Sequence, residues 1–263
     1  MTFAVCIKQV AALDDEFEML DDGTGVDPDF IERDLNEWDR FAVEAALQLR
    51  DAAGEGDVVV LTVGDEESEE ALLACLAMGA DRAIRVWDDA LEGADALTVA
   101  RVLASALQGE SPELVLCGVQ SSDAVNGATG VAIAAHLDLP HVAVVRQLDY
   151  DAGSRSVTVE RELEGGLVEV LRSPCPALLT VQTGINEPRY ATLRAVKQAR
   201  DKPLSVVAPS DVGLDAEAVT GAAGSRVRSL AHPEKGAGAE MIDGSPAEVA
   251  ARIAEIVKER VSA

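Results

Sequence analysis

The chain has 263 residues, with 47 acidic and 22 basic side chains and a formal net charge of −25. This length allows one large domain or two small ones, with a core that needs no disulfide or metal to fold. Such an acidic surface repels nucleic-acid phosphates and anionic lipid, which argues against general nucleic-acid binding.

The acidic residues are spread along the chain, and lysine is scarce. This composition is similar to that of proteins from halophiles that accumulate salt, although a merely acidic mesophilic protein remains an alternative. At molar salt the Debye length is about 3 Å, so the self-repulsion would be screened there.

The cysteines and histidines do not suggest a metal site. Widely spaced cysteines predict buried thiols in a reducing cytoplasm, and isolated histidines lack zinc-ligand spacing. No signal peptide or apolar run of about 18 residues is visible, so we expect a cytoplasmic protein without membrane insertion. The residues concerned are Cys6, Cys75, Cys117, Cys175, His136, His141 and His232.

The first 145 residues predict strands that alternate with helices. Apolar strands are expected at residues 2–7, 57–63, 83–87, 114–117 and 141–145, and helices at 37–50, 66–78, 94–107 and 130–137. Residues 13–31 read as a loop or irregular hairpin, and Asn36 as the N-cap of the first helix. Alternation of this kind is typical of an α/β fold with a parallel sheet covered on both faces.

The pattern changes after residue 150. Residues 156–163 and 167–172 alternate in polarity around a Gly-Gly turn and predict a β-hairpin, followed by a strand at 177–181. Residues 184–200 predict a loop that leads into a helix, and 213–238 an extended segment. A last helix is expected at 246–260 after Ser245, with a single apolar stripe of Val249, Ile253, Ile256 and Val257.

We therefore divide the chain into an α/β domain at 1–210 and a C-terminal linker and helix at 211–263. The apolar stripe of the last helix predicts that it docks either on its own domain or on a partner subunit.

The sequence carries no P-loop, no GxGxxG after a strand, and no GxSxG or HExxH motif. Candidate binding residues therefore lie in loops after strands, at 6–9, 63–65 and 118–130. The glycines of the third loop allow close backbone approach, and the following helix offers free N–H groups to a phosphate. Its side chains suited to ribose and phosphate are Ser121, Ser122, Asp123, Asn126 and Thr129.

Several motifs resemble the electron transfer flavoprotein β-subunit family over nearly the whole chain. They are AVCIKQV at 4–10, NEWDRFAVEAA at 36–46, AMGADR at 77–82, the loop at 118–130, VERELEGGL at 159–167 and INEPRYATL at 185–193. The resemblance implies a Rossmann-like fold related to adenine-nucleotide hydrolases. It also implies a heterodimeric electron carrier that is not an enzyme by itself.

In this family the redox FAD lies mainly on the α subunit, and the β subunit buries an AMP. The implied partners are the α subunit, acyl-CoA and related flavin dehydrogenases of fatty acid oxidation, and a quinone oxidoreductase. The implied cofactor-binding residues are Cys6, Lys8, Asn36, Trp38, Asp39, Val63, Gln120, Ser121, Asp123, Asn126, Gly127, Ala128, Thr129 and Gly130.

The resemblance also implies a partner-recognition loop at about 190–200, with Tyr190, Leu193 and Lys197 as docking residues and Leu193 as the apolar anchor. The sequence departs from the family at Glu37, where proline is usual, at Ala124-Val125, and at Ala128, where glutamine is frequent. These departures leave the identity of the nucleotide open.

Two alternatives remain at this point. An electron-bifurcating form would hold a second FAD in place of AMP and react with NADH. A nucleotide-sensing stress protein of the same fold would form a nucleotide-bound homodimer, but it would have no use for the docking loop.

Overall fold

The computed structural model describes residues 1–12, 17–21, 23–215, 219, 224–232, 236, 238–239 and 241–261. Its strands are β1 (Thr2–Cys6), β2 (Gln9–Ala12), β3 (Glu32–Leu35), β4 (Asp57–Val63), β5 (Arg82–Val86), β6 (Leu114–Gly118), β7 (His141–Asp151), β8 (Ser156–Glu162), β9 (Val168–Pro174), β10 (Ala177–Val181) and β11 (Leu204–Val207). Its longer helices are α1 (Glu37–Ala53), α2 (Glu69–Met78), α3 (Ala96–Glu110), α4 (Thr129–Leu137), α5 (Leu193–Ala199) and α6 (Pro246–Val261).

Nine strands form one sheet in the order β11-β5-β4-β1-β6-β10-β7-β8-β9. The strands from β11 to β7 are parallel, whereas β8 and β9 pair antiparallel. Helices α1 and α2 cover one face with a buried apolar cluster, and α3 and α4 cover the other. This arrangement confirms the predicted α/β class with a mostly parallel sheet.

The helix ends follow local sequence signals. Gly54 ends α1 with φ of 72°, and Gly79 ends α2 with φ of 134°, both in the region that favours glycine. Asp95 begins α3, because its carboxylate accepts a hydrogen bond from the Thr98 N–H at 2.9 Å. Ser245 precedes α6, where its N–H and hydroxyl both donate to Glu248.

The predicted hairpin is confirmed as β8 and β9, but the fifth strand was predicted too short. Strand β7 continues to Asp151 and pairs with β8, so the hairpin extends the same sheet. The prediction stopped at Val145 because Arg146 and Gln147 interrupt the apolar run. A bulge occurs there, with Val144 at φ of 60°, and beyond it Leu148 and Tyr150 resume the alternation.

Two features were not predicted from the sequence. Strands β2 and β3 form a separate antiparallel pair, and β11 adds an edge to the main sheet beside β5. Strands β2, β3 and β11 have only 4 residues each, too few to show a clear periodicity. Between β2 and β3, an antiparallel bridge joins Met19 to Val26, which agrees with the predicted irregular hairpin.

Some predictions fall on residues outside the described ranges. Residues 13–16 and Asp22 of the predicted loop lie there. So do 216–218, 220–223, 233–235 and 237 of the predicted extended segment.

Three cysteines are buried free thiols, whereas Cys175 is only half-buried, which corrects the prediction for that residue. Within the described ranges, no three His, Cys, Asp or Glu side chains are grouped to hold a metal ion. The helices of the same ranges include none that is long and apolar enough to cross a bilayer.

Candidate functional site

The candidate site lies where the strand order reverses. Strand β1 pairs with β4 on one side and with β6 on the other. The connections after β1 and β6 lead to helices on opposite faces of the sheet, which leaves a crevice between them. A crevice at this point is the usual ligand site of open parallel sheets. The three loops singled out from the sequence follow β1, β4 and β6, and therefore lie at the same edge.

Asp39, in the first turn of α1, forms hydrogen bonds at the carboxyl ends of both β1 and β6. Its side chain is 4% exposed. One carboxylate oxygen accepts the N–H of Lys8 at 2.8 Å, and the other accepts the N–H of Gly118 at 2.8 Å. The carboxylate thus fixes the spacing between the loops after β1 and β6.

Gly118 allows this close approach. A Cβ atom at this position would lie 2.5 Å from the Cβ of Trp38 and 2.6 Å from Oδ1 of Asp39. Both neighbours belong to α1, so the helix N-terminus packs directly on the backbone at the end of β6. Only glycine fits here without moving the helix.

Asn36 precedes α1 as predicted, but its side chain does not cap the helix. Its amide instead donates to the carbonyl of Gln120 at 2.9 Å and accepts the N–H of Ser122 at 3.3 Å. The side chain therefore fixes the backbone of the third loop. A single sequence cannot distinguish this role from capping, because asparagine suits both.

The side chain of Lys8 joins the loop after β1 to the loop after β6. Its ammonium group lies 2.7 Å from both carboxylate oxygens of Asp123 and 3.5 Å from the hydroxyl of Ser121. Both ends of this ion pair are open to solvent. The ammonium group could therefore turn from Asp123 to an anionic ligand without losing a buried contact.

The third loop leads into α4, whose N-terminus fits a phosphate group. Ala128 precedes the helix and offers no side-chain cap, so N–H groups of the first turn remain free for a ligand. Gly130 lets this turn pack closely, because a Cβ there would lie 2.6 Å from Sγ of Cys117. Val125 has φ of 51°, an unusual conformation for a β-branched residue.

The structure therefore brings together Lys8, Asn36, Asp39, Gln120, Ser121 and Asp123 by direct contacts. Ala128, Thr129 and Gly130 lie at the start of α4. Asn126 and Gly127 lie on the exposed part of the same loop, and Val63 ends the neighbouring strand β4.

Two predicted residues contribute differently from the others. Cys6 is buried at the end of β1, and burial strongly raises the pKa of its thiol, so backbone contact rather than thiol chemistry fits this position. Trp38 is half-buried, and its indole N–H donates to Oε1 of Gln182 at 2.8 Å. Its ring therefore lies towards the end of β10, beside the crevice.

Burial raises the pKa of Asp39 to about 7, against the opposing effect of the Gly118 and Lys8 N–H groups. A carboxyl group with a raised pKa in the folded state stabilises the fold at low pH. That contribution is lost as the pH rises from about 4 to about 7. We expect wild type to lose stability relative to Asp39→Asn across this window, with a constant difference above it.

Urea unfolding from pH 5 to 8.5, followed by tryptophan fluorescence, measures this difference. Asp149→Asn is the control, because Asp149 is an exposed carboxylate on β7. Parallel pH profiles for wild type and Asp39→Asn would contradict the assignment.

The predicted docking residues lie on a separate surface, at the start of α5. Tyr190 is 99% exposed and Leu193 86% exposed, and Lys197 is also exposed. Thr192 accepts the N–H of Ala195 at 3.2 Å and so begins the helix. Two large apolar side chains in solvent on an ordered segment are suited to contact with another protein.

Sequence reasoning missed three residues that shape these surfaces: Gln182, Glu44 and Arg189. Gln182 directly follows β10, so its place after a strand was an available signal. Arg189 lies inside the quoted INEPRYATL motif, but nothing in the sequence pairs it with Glu44, which is 145 positions away.

A further groove, of about 370 Å³, lies between α1 and β7. Gln48, Leu148 and Asn186 are among its lining residues, and none of the predicted site residues belongs to it. The groove is therefore distinct from the predicted crevice.

Comparison with known proteins agrees with this fold. The family model described as "Electron transfer flavoprotein domain" matches residues 29–212. The electron transfer flavoprotein β subunit of Methylophilus methylotrophus is 48% identical over 261 residues, 98% of each chain. The β subunit of Mycobacterium bovis is 36% identical over 91% of each chain, and the human one 36% over 80% of this chain and 82% of its own.

The parallel sheet with a crevice at its switch point defines a Rossmann-like α/β protein. The extent of the similarity narrows this class further. The chain belongs to the electron transfer flavoprotein family and, within it, to the β subunits.

Proposed function

We propose that the chain is the β subunit of a heterodimeric electron carrier. An FAD held mainly by an α subunit accepts electrons from flavin dehydrogenases, including acyl-CoA dehydrogenases, and delivers them to a quinone oxidoreductase. Two observations carry the proposal: the contacts that shape the crevice at the switch point, and the exposed apolar pair Tyr190 and Leu193 on another surface. Leu193 is proposed to dock on the dehydrogenase as the apolar anchor.

The crevice is proposed to hold AMP. The free N–H groups at the start of α4 and the Lys8 ammonium group suit the phosphate, and the polar side chains of Ser121 and Asn126 suit the ribose. The chain's residues bind and orient the nucleotide, which stabilises the loops after β1 and β6. Because this role is structural, it requires no acid, base or nucleophile.

The C-terminal helix is proposed to pack on the α subunit. None of the residues of α6 is buried, although Ile253 and Val257 belong to one apolar stripe. An amphipathic helix gains most of its stability by burying such a stripe. Of the two docking alternatives, a partner subunit is therefore the better supported.

Reconstitution tests the proposal. The α subunit of the same organism is prepared alone and together with this chain. Each preparation is mixed with an acyl-CoA dehydrogenase that has been reduced by its substrate, and reduction of the α-subunit flavin is followed. We expect rapid flavin reduction only when the chain is present. Equal rates with and without the chain would contradict the proposed role.

A further inference from the structure

One side of α1 holds the segment that leads to the docking residues. The indole of Trp38 contacts Gln182, and the carbonyl of Phe41 accepts the amide N–H of Asn186 at 3.1 Å. One turn further on, Glu44 binds Arg189. Residues 38, 41 and 44 are three apart and so lie along one side of the helix. The segment at 182–189 thus runs beside α1 and is attached to it at successive turns.

The last of these attachments is the strongest. Both carboxylate oxygens of Glu44 engage the Arg189 guanidinium, at 2.7 and 3.0 Å, and one also accepts the Arg189 backbone N–H at 3.2 Å. Glu44 is 3% exposed. Asp51, two turns along α1, adds a contact to the same guanidinium at 3.2 Å. Bidentate pairs of this kind fix direction as well as position.

The exposed docking residues follow this anchor directly. Tyr190 is the next residue, and Leu193 begins α5 after Thr192. Among the described contacts, the backbone of Arg189 is the last point of this segment that is hydrogen-bonded to α1, and Ala191 then packs against the apolar core before the exposed Thr192 and Leu193. Glu44 is buried but the Arg189 side chain is 36% exposed, and desolvation of Glu44 offsets part of the attraction between the two charges. The clearest consequence of the pair is therefore geometric.

We propose that Glu44 is a positioning residue for docking: by holding the side chain and backbone of Arg189, it presents Leu193 in one orientation to the dehydrogenase. The proposal rests on the docking role proposed above for Leu193. Ordering this segment in advance lowers the entropic cost of forming the complex.

The test uses the complete heterodimer with Glu44→Gln, Leu193→Ala and the double variant. We expect Glu44→Gln to lower the second-order rate constant of flavin reduction by the dehydrogenase about tenfold, the scale of losing one charge-assisted contact. FAD content, bound nucleotide and the rate of chemical reduction by dithionite should not change. In the Leu193→Ala background, Glu44→Gln should cause no further loss, because it acts through Leu193.

Glu113→Gln is the matched control. Glu113 pairs with both donor groups of Arg155, at 3.0 and 2.6 Å, and precedes β6 at the opposite end of the strand from the crevice. This variant loses a bidentate ion pair that is more exposed than Glu44–Arg189 and lies away from the docking segment, so we expect a rate constant equal to wild type. A tenfold fall for Glu113→Gln would show a general loss of stability and overturn the inference.

The remaining outcomes separate this inference from the proposed function. If Leu193→Ala slows reduction but Glu44→Gln does not, the positioning role is wrong and the docking role stands. If Glu44→Gln slows reduction equally in both backgrounds, its effect does not pass through Leu193, and the inference is again wrong. If Leu193→Ala has no effect, the docking role itself fails.

Discussion

Gly118→Ala is expected to lower the free energy of unfolding by about 3 kcal/mol, the upper range for an added methyl group in a packed site. The new Cβ would meet Trp38 and Asp39 at 2.5 and 2.6 Å. Neither neighbour can yield easily, because both belong to the first turn of α1. To make room, the helix must move away from β6, which breaks the hydrogen bond from the Gly118 N–H to Asp39.

Urea unfolding with and without added AMP measures this effect. We expect Gly118→Ala to lose most of the stabilisation by AMP as well, because the loops after β1 and β6 no longer keep their spacing. Gly109→Ala is the control: Gly109 lies exposed in α3, and beyond the local backbone of the helix nothing lies within 4 Å of the added Cβ. That change should stabilise the helix by up to about 1 kcal/mol. Equal effects of the two substitutions would contradict the proposed packing.

Leu193→Ala is expected to slow electron acceptance from the dehydrogenase between about 10-fold and 100-fold. A buried leucine side chain contributes about 1.5–3 kcal/mol to an interface, and each 1.4 kcal/mol corresponds to a factor of ten. Because the side chain is 86% exposed in the chain itself, truncation should leave its stability nearly unchanged.

Stopped-flow mixing of reduced dehydrogenase with the heterodimer measures this rate at several protein concentrations. The loss should appear in the second-order rate constant, since the anchor acts on association of the two proteins. Val206→Ala removes a comparable exposed side chain from the edge strand β11 and should have no effect. An unchanged rate for Leu193→Ala would refute its role as the anchor.

The sequence was sufficient to predict the parts of the fold with strong periodicity. The apolar runs of β1, β4, β6 and β10 and the glycines after helices each carry a local signal. The crevice could be predicted for the same reason, because loops after parallel strands meet at one edge of the sheet. The docking role proposed for Leu193 came from the quoted family motifs, whereas periodicity alone would have assigned this residue to a helix core.

Contacts between distant residues could not be predicted in this way. The amide of Asn36 was expected to cap α1, and only the fold shows that it holds the backbone at 120–122 instead. The same holds for Glu44 and Arg189, which meet because the segment at 182–189 runs beside α1. The continuation of β7 past a bulge was missed because Arg146 and Gln147 interrupt the local pattern.

The most direct test of the account is a count of the nucleotides bound to the heterodimer. The chain is co-expressed with its α subunit, purified at high salt and denatured, and the released nucleotides are separated by chromatography. The account predicts one FAD and one AMP per heterodimer. Two FAD without AMP would contradict it, because the crevice of this chain would then hold a redox cofactor of its own.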